Sequence, residues 1–489
     1  MSDKTLRTGL GLVFASMVLA GCANYHGLNP QGISLDAQQL KAGHSFKNVS
    51  VTPAAWPEKE WWSRLGDQQL NSLVAQALRD SPDMQVASAR THQATAAARS
   101  VNAARMPTLD ANGDVTRSRL SRSQDPSGQG GRYSTERDLN LTFNYTFDLW
   151  GGQRAAWEAA LGEARAAEVD GQAARLTLAG DVARAYSNLG HAFQVRDLSQ
   201  EDLQRTRKML DLSKRRLASG IDSHYQFQQT ESLEASAQEQ LIDAEKQLNS
   251  ARIALAVLLG KGPDRGQEIT RPNRLAPGAV ALPSTLPADL LGRRPDVVAA
   301  RWRVEAASKN IAAAKTRFYP NLNLTAAAGT QSLLGDALFG SASRFFNIAP
   351  ALTLPIFDGG RLRAGLDAED ANYDLAVAQY NKTVVGALGE VSDTLGQLGA
   401  TGRQITAQQR AADIAQDSYD TVLQRYGSGV GNYLDVLSIE QQLLQAQRQL
   451  ADLNAQQIDL SIQLMQALGG GFEPAHTALA VPSQASLAE

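Results

Sequence analysis

The chain carries one long unit twice, and that duplication constrains its fold more than any single motif. Ser81-Pro82-Asp83 is answered by Arg294-Pro295-Asp296, and Met106-Pro107 by Tyr319-Pro320, both at a spacing of 213 positions. The spacing then slips by a few residues. Trp150-Gly151-Gly152-Gln153-Arg154 answers Asp358-Gly359-Gly360-Arg361 at 208, while Ala218-Ser219-Gly220 with Gly427-Ser428-Gly429, and Leu258-Leu259-Gly260 with Ala467-Leu468-Gly469, recur at 209. Five landmarks in one order define a repeat of roughly two hundred residues, far longer than the units of solenoid proteins.

The N-terminus sets the compartment. Lys4 and Arg7 precede the apolar run Leu10 to Leu19, too short to cross a bilayer, and small residues follow, which is the pattern of a signal peptide over residues 1–21. Leu19-Ala20-Gly21-Cys22 resembles a bacterial lipobox, which implies cleavage before Cys22 and a lipid there, diacylglycerol on the sulfur and an N-acyl chain. An ordinary secretory signal with a chance cysteine is the alternative. Cys22 is the single cysteine of 489 residues, so disulfides and cysteine-based metal sites are excluded from the mature chain. Ala23 stands where inner-membrane lipoproteins carry an aspartate, which favours the outer membrane. Net charge is −3 with 20% charged residues, which offers no basic field for nucleic acid. After the signal peptide no stretch of eighteen apolar residues occurs, so any membrane crossing must be a β-barrel.

Each repeat reads as helix, strand, loop, strand, long helix, turn, helix, an α+β fold. The first helices run from Pro82 to Met106 and from Pro295 to Tyr319, each opening with Pro and an acidic residue and stopping before a Pro. Leu139, Leu141, Phe143, Tyr145, Phe147 and Leu149 then alternate with polar residues, as do Phe346, Ile348, Pro350, Leu352, Leu354 and Ile356. Thr108 to Arg117 and Asn321 to Gln331 are the partner strands, and Ser118 to Arg137 reads as a solvated hairpin loop. Strands of about 9–11 residues suit a tilted crossing of hydrocarbon. A soluble sandwich would alternate in the same way, but only four strands are visible and very long helices follow both hairpins. Four strands cannot close a barrel, since about eight are needed to hold even side chains inside. The chain must therefore oligomerise.

The long helices, Gln153 to Leu217 and Arg361 to Tyr426, span 65 and 66 residues. At 1.5 Å per residue each would extend about 100 Å. Each ends at a Ser-Gly turn, Ser219-Gly220 or Ser428-Gly429, and a shorter helix returns, Asp222 to Leu259 or Asn432 to Leu468, of 38 and 37 residues. A 25-residue first helix stacked end to end on a return helix would match one long helix. Leu437, Leu444, Ala451, Ile458 and Met465 recur every seven residues, as do Leu443, Leu450, Gln457 and Leu464, and Leu241, Leu248 and Leu255 in the first repeat. These are coiled-coil seams, two of them side by side, which suit a helix with a neighbour on each side.

The lipobox, Trp61-Trp62 followed by Asp67-Gln68-Gln69-Leu70, the duplicated Pro-Asp, the Phe357-Asp358-Gly359-Gly360-Arg361 turn and the run Tyr426 to Leu437 together resemble the outer membrane efflux proteins of Gram-negative bacteria, in their lipoprotein branch. The resemblance covers Cys22 to about Phe472. It implies a homotrimer with a twelve-stranded β-barrel in the outer membrane and a twelve-helix α-barrel in the periplasm, serving as the exit duct of a tripartite pump. The implied partners are a periplasmic adaptor (membrane fusion) protein, a proton-driven inner-membrane transporter and outer membrane lipid, with no nucleic acid. The expected organisation is a lipidated N-terminal and equatorial segment over 22–80, repeats over 81–260 and 294–469 joined by an equatorial linker over 261–293, and a flexible tail over 470–489, with Gly469-Gly470-Gly471 as a flexible exit. On the residues alone, a lipid-anchored coiled-coil scaffold or adhesin and a periplasmic cell-wall hydrolase stay open.

No catalytic or metal constellation is legible. The six His are scattered at 26, 44, 92, 191, 224 and 476, no nucleophile or phosphate-loop motif occurs, and Asp435 and Glu440 are spaced too poorly on a helix to work as an acid/base pair. The candidate sites are structural. Gly151, Gly152, Gly359 and Gly360 form the strand-to-helix turns. Ser219, Gly220, Ser428 and Gly429 are expected to form the periplasmic tip that meets the adaptor. The family usually carries an Asp where this chain has Ser438, so the resemblance places the constriction at Leu434, with Asp435 as the substitute acid and Glu440 close by.

Overall fold

The computed structural model describes residues 24–35, 52–53, 56–119, 121–123, 131–276, 281–282, 292–333 and 338–473. The signal peptide, Cys22, residues 277–280 and 283–291 of the linker and the tail beyond 473 lie outside the described residues. Seven helices are labelled here: α1 (Gln68–Asp80), α2 (Pro82–Ala103), α3 (Gly152–Ala218), α4 (His224–Leu258), α5 (Pro295–Thr316), α6 (Arg361–Gly427) and α7 (Tyr433–Ala467). Four strands, β1 (Thr108–Arg119), β2 (Tyr133–Phe147), β3 (Asn321–Ser332) and β4 (Arg344–Thr353), form one antiparallel sheet in chain order. A two-residue parallel bridge joins Thr52–Pro53 to Ala281–Leu282.

The chain divides into two compact units. The first comprises residues up to Ser34, Thr91–Ala167 and Ala299–Asn381 and holds the sheet; the second comprises Leu35–Arg90, Glu168–Val298 and the chain from Lys382.

In the first unit the register sorts the strand side chains. Leu109, Phe143, Ala326 and Ile348 lie across one face, as do Ala111, Leu141, Ala328 and Phe346. On the other face Asn112 donates to Asn140 and Thr142, Thr146 donates to Asn323 and Thr325 to Asn144, a polar ladder across three strands. Phe346, Ile348 and Leu352 stand largely exposed, so among the described residues nothing covers the apolar face. Among the described residues β1 and β4 each pair on one side only, which leaves two open edges. β2 begins at Tyr133 rather than at Asp138, so the expected hairpin loop is shorter, because backbone pairing from Arg137 to Tyr133 continues past the last apolar residue. Leu149, Leu354 and Ile356 fall outside the strands, where no ladder partner remains.

The first helices end at Ala103 and Thr316, three residues earlier than expected. The N–H groups of Met106 and Tyr319 bond back three residues, to Ala103 and Thr316, because a residue before Pro resists the α conformation and the last turn tightens. Both long helices have 67 residues, and each repeat's short pair has 22 and 35. The short helices do meet end to end. A Cβ on Gly260 would lie 2.7 Å from the Asp80 carbonyl and 2.9 Å from Pro82 Cδ, and one on Gly469 would collide with the Arg293 carbonyl. Lys261 pairs with Asp80 at 3.1 Å, and Arg294 donates to the Ala467 carbonyl at 3.0 Å and to Glu390 at 2.7 Å.

In the second unit the core gathers Trp61, Leu70, Leu73 and Val74 against Val182, Tyr186 and Leu189 of α3, Leu255 of α4 and Ile462 of α7. Asp67 organises its entrance. It caps α1 through Gln69 N–H and accepts from Tyr186 Oη at 2.8 Å and Asn273 N–H at 2.9 Å. The residues α7 buries include Val436, Leu443 and Leu464 with Ala446, Leu453, Leu460 and Ala467, and of the first expected series Ala451 and Ile458, whereas Leu437 and Leu444 are only half-buried. Gly469, Gly470 and Gly471 are not a flexible exit: all have positive φ, and added side chains would strike Arg293, Leu176 and Glu58 respectively.

Candidate functional site

The two helical turns of the second unit are near copies. Gly220 and Gly429 sit at φ +74° and +82°, and in each turn an N–H one residue on, Ile221 or Val430, returns to the carbonyl five residues back, Arg216 or Arg425. The next helix is capped in both cases, by Ser223 in a capping box with Gln226 and by Asn432 through Leu434 N–H. Ser219 and Ser428 Oγ donate back to the Arg215 and Gln424 carbonyls, closing each helix end.

One carboxylate ties the turns together. Asp222 Oδ1 accepts from Arg216 Nε at 2.9 Å and Oδ2 from Tyr426 Oη at 2.8 Å, while Arg216 Nη1 donates to the Tyr426 carbonyl at 3.1 Å and its guanidinium lies 4.3 Å above the Tyr426 ring. Tyr433 Oη is 2.6 Å from Thr230 Oγ1. Burial first, and then the bond to Asp222, push the Tyr426 hydroxyl well above its ordinary range. The first turn is thereby stapled to the second. The sequence marked Tyr426 as part of a motif and Asp222 as a helix start, but not their contact with each other and with Arg216, because a pair separated by about two hundred positions leaves no local periodicity.

The apolar side chains beyond the turns are exposed, and they too recur at 209 positions: Ile221 with Val430 at 63% and 74%, Tyr225 with Leu434 at 72% and 58%. That spacing could have found Tyr225 beforehand. Leu434, Asp435 and Ser438 share the exposed side of α7. Glu440 does not join them. It is 8% exposed, faces Asp202 and Arg205 of α3, and has Oε1 without a hydrogen-bond partner. Its position, about 120° round the helix from Leu434, carries it to the inner seam, so it leaves the gate set. Desolvation, together with the Asp202 charge, raises its carboxyl to about 7, and burial raises Asp202 as well.

In the first unit the strand-to-helix turns use glycine for two reasons. Gly151, Gly359 and Gly360 adopt positive φ, whereas Gly152 lets α3 start against α5, since a Cβ there would lie 2.0 Å from Thr316 Oγ1. Asp148 accepts from the N–H groups of Gln153 and Arg154, and Asp358 from those of Gly360 and Leu362, so each long helix begins on a carboxylate. Trp150 stacks on Tyr319 at 4.8 Å and donates to the Pro320 carbonyl, beside Tyr25 and Phe318. This aromatic group lies where the strands give way to helices, the position of an interfacial belt. Among the described residues no cluster of His, Cys, Asp or Glu is placed to hold a metal ion.

The chain matches the family described as outer membrane efflux protein over residues 73–261 and 286–470. It is 38% identical over 373 residues to the fusaric acid resistance protein FusA of Burkholderia cepacia, covering 74% of this chain and 69% of that one. It is 30% identical over 391 residues to the multidrug resistance outer membrane protein MdtP of Escherichia coli K12, covering 77% and 78%. The crystal structure of the outer membrane protein VceC of Vibrio cholerae superposes with a TM-score of 0.78 at 37% identity, over 86% of this chain and all of that one. The Campylobacter jejuni CmeC outer membrane channel shares the fold, with a TM-score of 0.83 at 23% identity over 91% of this chain and 95% of that one. A duplicated helix–hairpin–helix unit, a two-faced four-stranded sheet and these matches over both repeats lead to one conclusion: the chain belongs to the outer membrane efflux protein family and is an outer membrane channel protein.

Proposed function

We propose that three copies of this protein close into a passive duct that carries small toxic compounds out of the periplasm as the outer membrane component of a tripartite efflux system. The observation that carries this reading is the sheet: its apolar face is uncovered and its two edges unpaired, and three such sheets joined edge to edge make a twelve-strand barrel with hydrocarbon outside and the Asn/Thr ladder inside. The exposed turns around Gly220 and Gly429 are the surface for a periplasmic adaptor, supported by their duplicated geometry and by the repeated apolar pairs beside them. Leu434 is the closing residue and Asp435 its neighbouring negative charge, supported by their shared exposed side of α7. A diacylglycerol and an N-acyl chain on Cys22 complete the attachment, and a proton-driven inner-membrane transporter supplies the energy. Single-channel recording in planar bilayers tests the duct: discrete conductance steps from a heat-modifiable trimer are expected, and a protein that forms neither trimer nor pore would overturn it.

A further inference from the structure

The four strands segregate charge completely. On the apolar face, beyond Val115, Leu139 and Phe346 toward the hairpin ends, the register places Arg117, Arg119, Arg137 and Arg344. That face carries no acidic residue along any of the four strands, whereas Asp110, Asp114, Glu136 and Asp138 all stand on the opposite, polar face. The sheet itself therefore keeps these arginines from the carboxylates, and among the described residues none of the four makes an ion pair. Arg117 and Arg119 lie over the Tyr133 ring at 5.3 and 5.7 Å, and Arg119 Nε donates to the Gly131 carbonyl at 2.9 Å. Tyr133 itself is 63% exposed. Arginines whose guanidinium groups are partly fixed by a ring, flush with the top of a lipid-facing apolar band, meet the headgroup layer of the outer leaflet.

We infer that this outward-facing arginine collar is a binding site for the phosphate groups of the glycolipid in the outer leaflet of the outer membrane. The inference rests on the duct reading, which turns the apolar face toward lipid and the hairpin ends toward the exterior. Guanidinium is the side chain suited to such a ligand, since its planar fork bonds two phosphate oxygens at once. Arg117 and Arg119 on one strand are about 7 Å apart along it, and Arg137 stands diagonally across from Arg117 on the next strand, so one headgroup bearing more than one phosphate spans them. The acyl chains of the same lipid then run down over Leu139, Leu141, Phe346 and Ile348.

The test uses the purified full-length trimer in detergent and measures retention of three probes: lipopolysaccharide, the same lipid with its phosphates removed enzymatically, and inorganic phosphate. The native protein is expected to retain lipopolysaccharide, to hold the dephosphorylated lipid at least about tenfold more weakly, and to release nothing to millimolar inorganic phosphate. The combined variant Arg117→Gln, Arg119→Gln, Arg137→Gln, Arg344→Gln should bind both lipids at the weaker level. Replacement of the four by Lys, which keeps charge without the fork, should fall between. If the fourfold variant does not assemble, the pair Arg117→Gln, Arg119→Gln replaces it, with a loss of several-fold expected. Equal retention of the two lipids by the native protein, or retention by an assembled variant within twofold of the native, overturns the site. Conductance is recorded on the same preparations. A conducting native trimer without phosphate preference overturns this inference alone, whereas a native protein that conducts nothing overturns the duct reading and this inference with it.

Discussion

Glu440 shows how one residue's environment sets a pH response. Its carboxyl is raised from the ordinary 4.5 to about 7 by desolvation and by Asp202, so between those values the folded protein binds a proton that the unfolded chain has lost. Stability is therefore full below the lower value, falls as pH rises through the window and is flat above it, with a loss on the order of 3 kcal/mol at about 1.4 kcal/mol per pH unit. Glu440→Gln should raise the thermal midpoint at about pH 8 and flatten its dependence from pH 5 upward. An unchanged slope in differential scanning calorimetry would show that Glu440 ionises freely. On the exposed side of the same helix, Leu434→Ala should raise conductance and admit larger antibiotics, while Asp435→Asn should weaken cation preference without opening the pore. If Leu434→Ala instead weakens the trimer at constant conductance, Leu434 is an intersubunit packing residue. The sequence indicated Leu434 and Glu440 together; only the packing of α7 against α3 separates them.

At the scale of elements, the paired turns separate conformational strain from steric fit. A Cβ on Gly220 or Gly429 meets no atom within 4 Å, so a substitution there carries only the left-handed backbone penalty, about 1–2 kcal/mol. Gly431 is the opposite case, because its added Cβ would lie 2.7 Å from Tyr426 N. Large side chains at Gly220 or Gly429 should abolish drug resistance in cells while the trimer still assembles, and Gly431→Ala should destabilise the fold itself. Undiminished crosslinking of the Gly220 and Gly429 variants to the adaptor would count against docking at the turns. The turns and their glycines were legible because glycine punctuates a sequence locally. Asp222 was not, since its value lies in reaching Arg216 and Tyr426 from both repeats at once.

For the whole molecule, the proposed membrane attachment divides between barrel and lipid. Residues 24–33, the chain just after Cys22, are held along α6: Arg363 donates to the Asn24 carbonyl, Asp374 accepts from the N–H groups of Gln31 and Gly32, and Asn381 donates to the Ile33 carbonyl. Tyr25 packs edge-on to Phe318 and shares a hydroxyl contact with Tyr319 at 3.0 Å. The chain that follows Cys22 is thereby fixed beside the aromatic group of Trp150, Phe318 and Tyr319. The apolar strand faces supply far more membrane contact than one acylated residue, so Cys22→Ser should still insert as a trimer and lose only efficiency of maturation. Recovery of that variant as a soluble monomer, in place of a heat-modifiable trimer in outer membrane fractions, would show that the strands do not cross lipid.

The duplication, the helix order and the alternating strands were determined by the sequence alone, because helices and strands follow from periods and breakers that act within a few residues and the repeat from landmarks that recur in one order. Tertiary structure decided what periodicity leaves open. Both seven-residue series read along α7 are buried only in part: Ala451 and Ile458 of the first and Leu443 and Leu464 of the second lie inside, Leu437 and Leu444 stay at half depth, and packing adds Ala446, Leu453 and Leu460, which neither series contained. The triple glycine looks like a loose end in one dimension; it is packed because Arg293 and Glu58 approach its backbone more closely than any side chain allows. The charge segregation of the sheet needed the register as well, since a shift of one residue in β1 or β2, the two strands that carry both signs, would have exchanged its arginines and acids between faces.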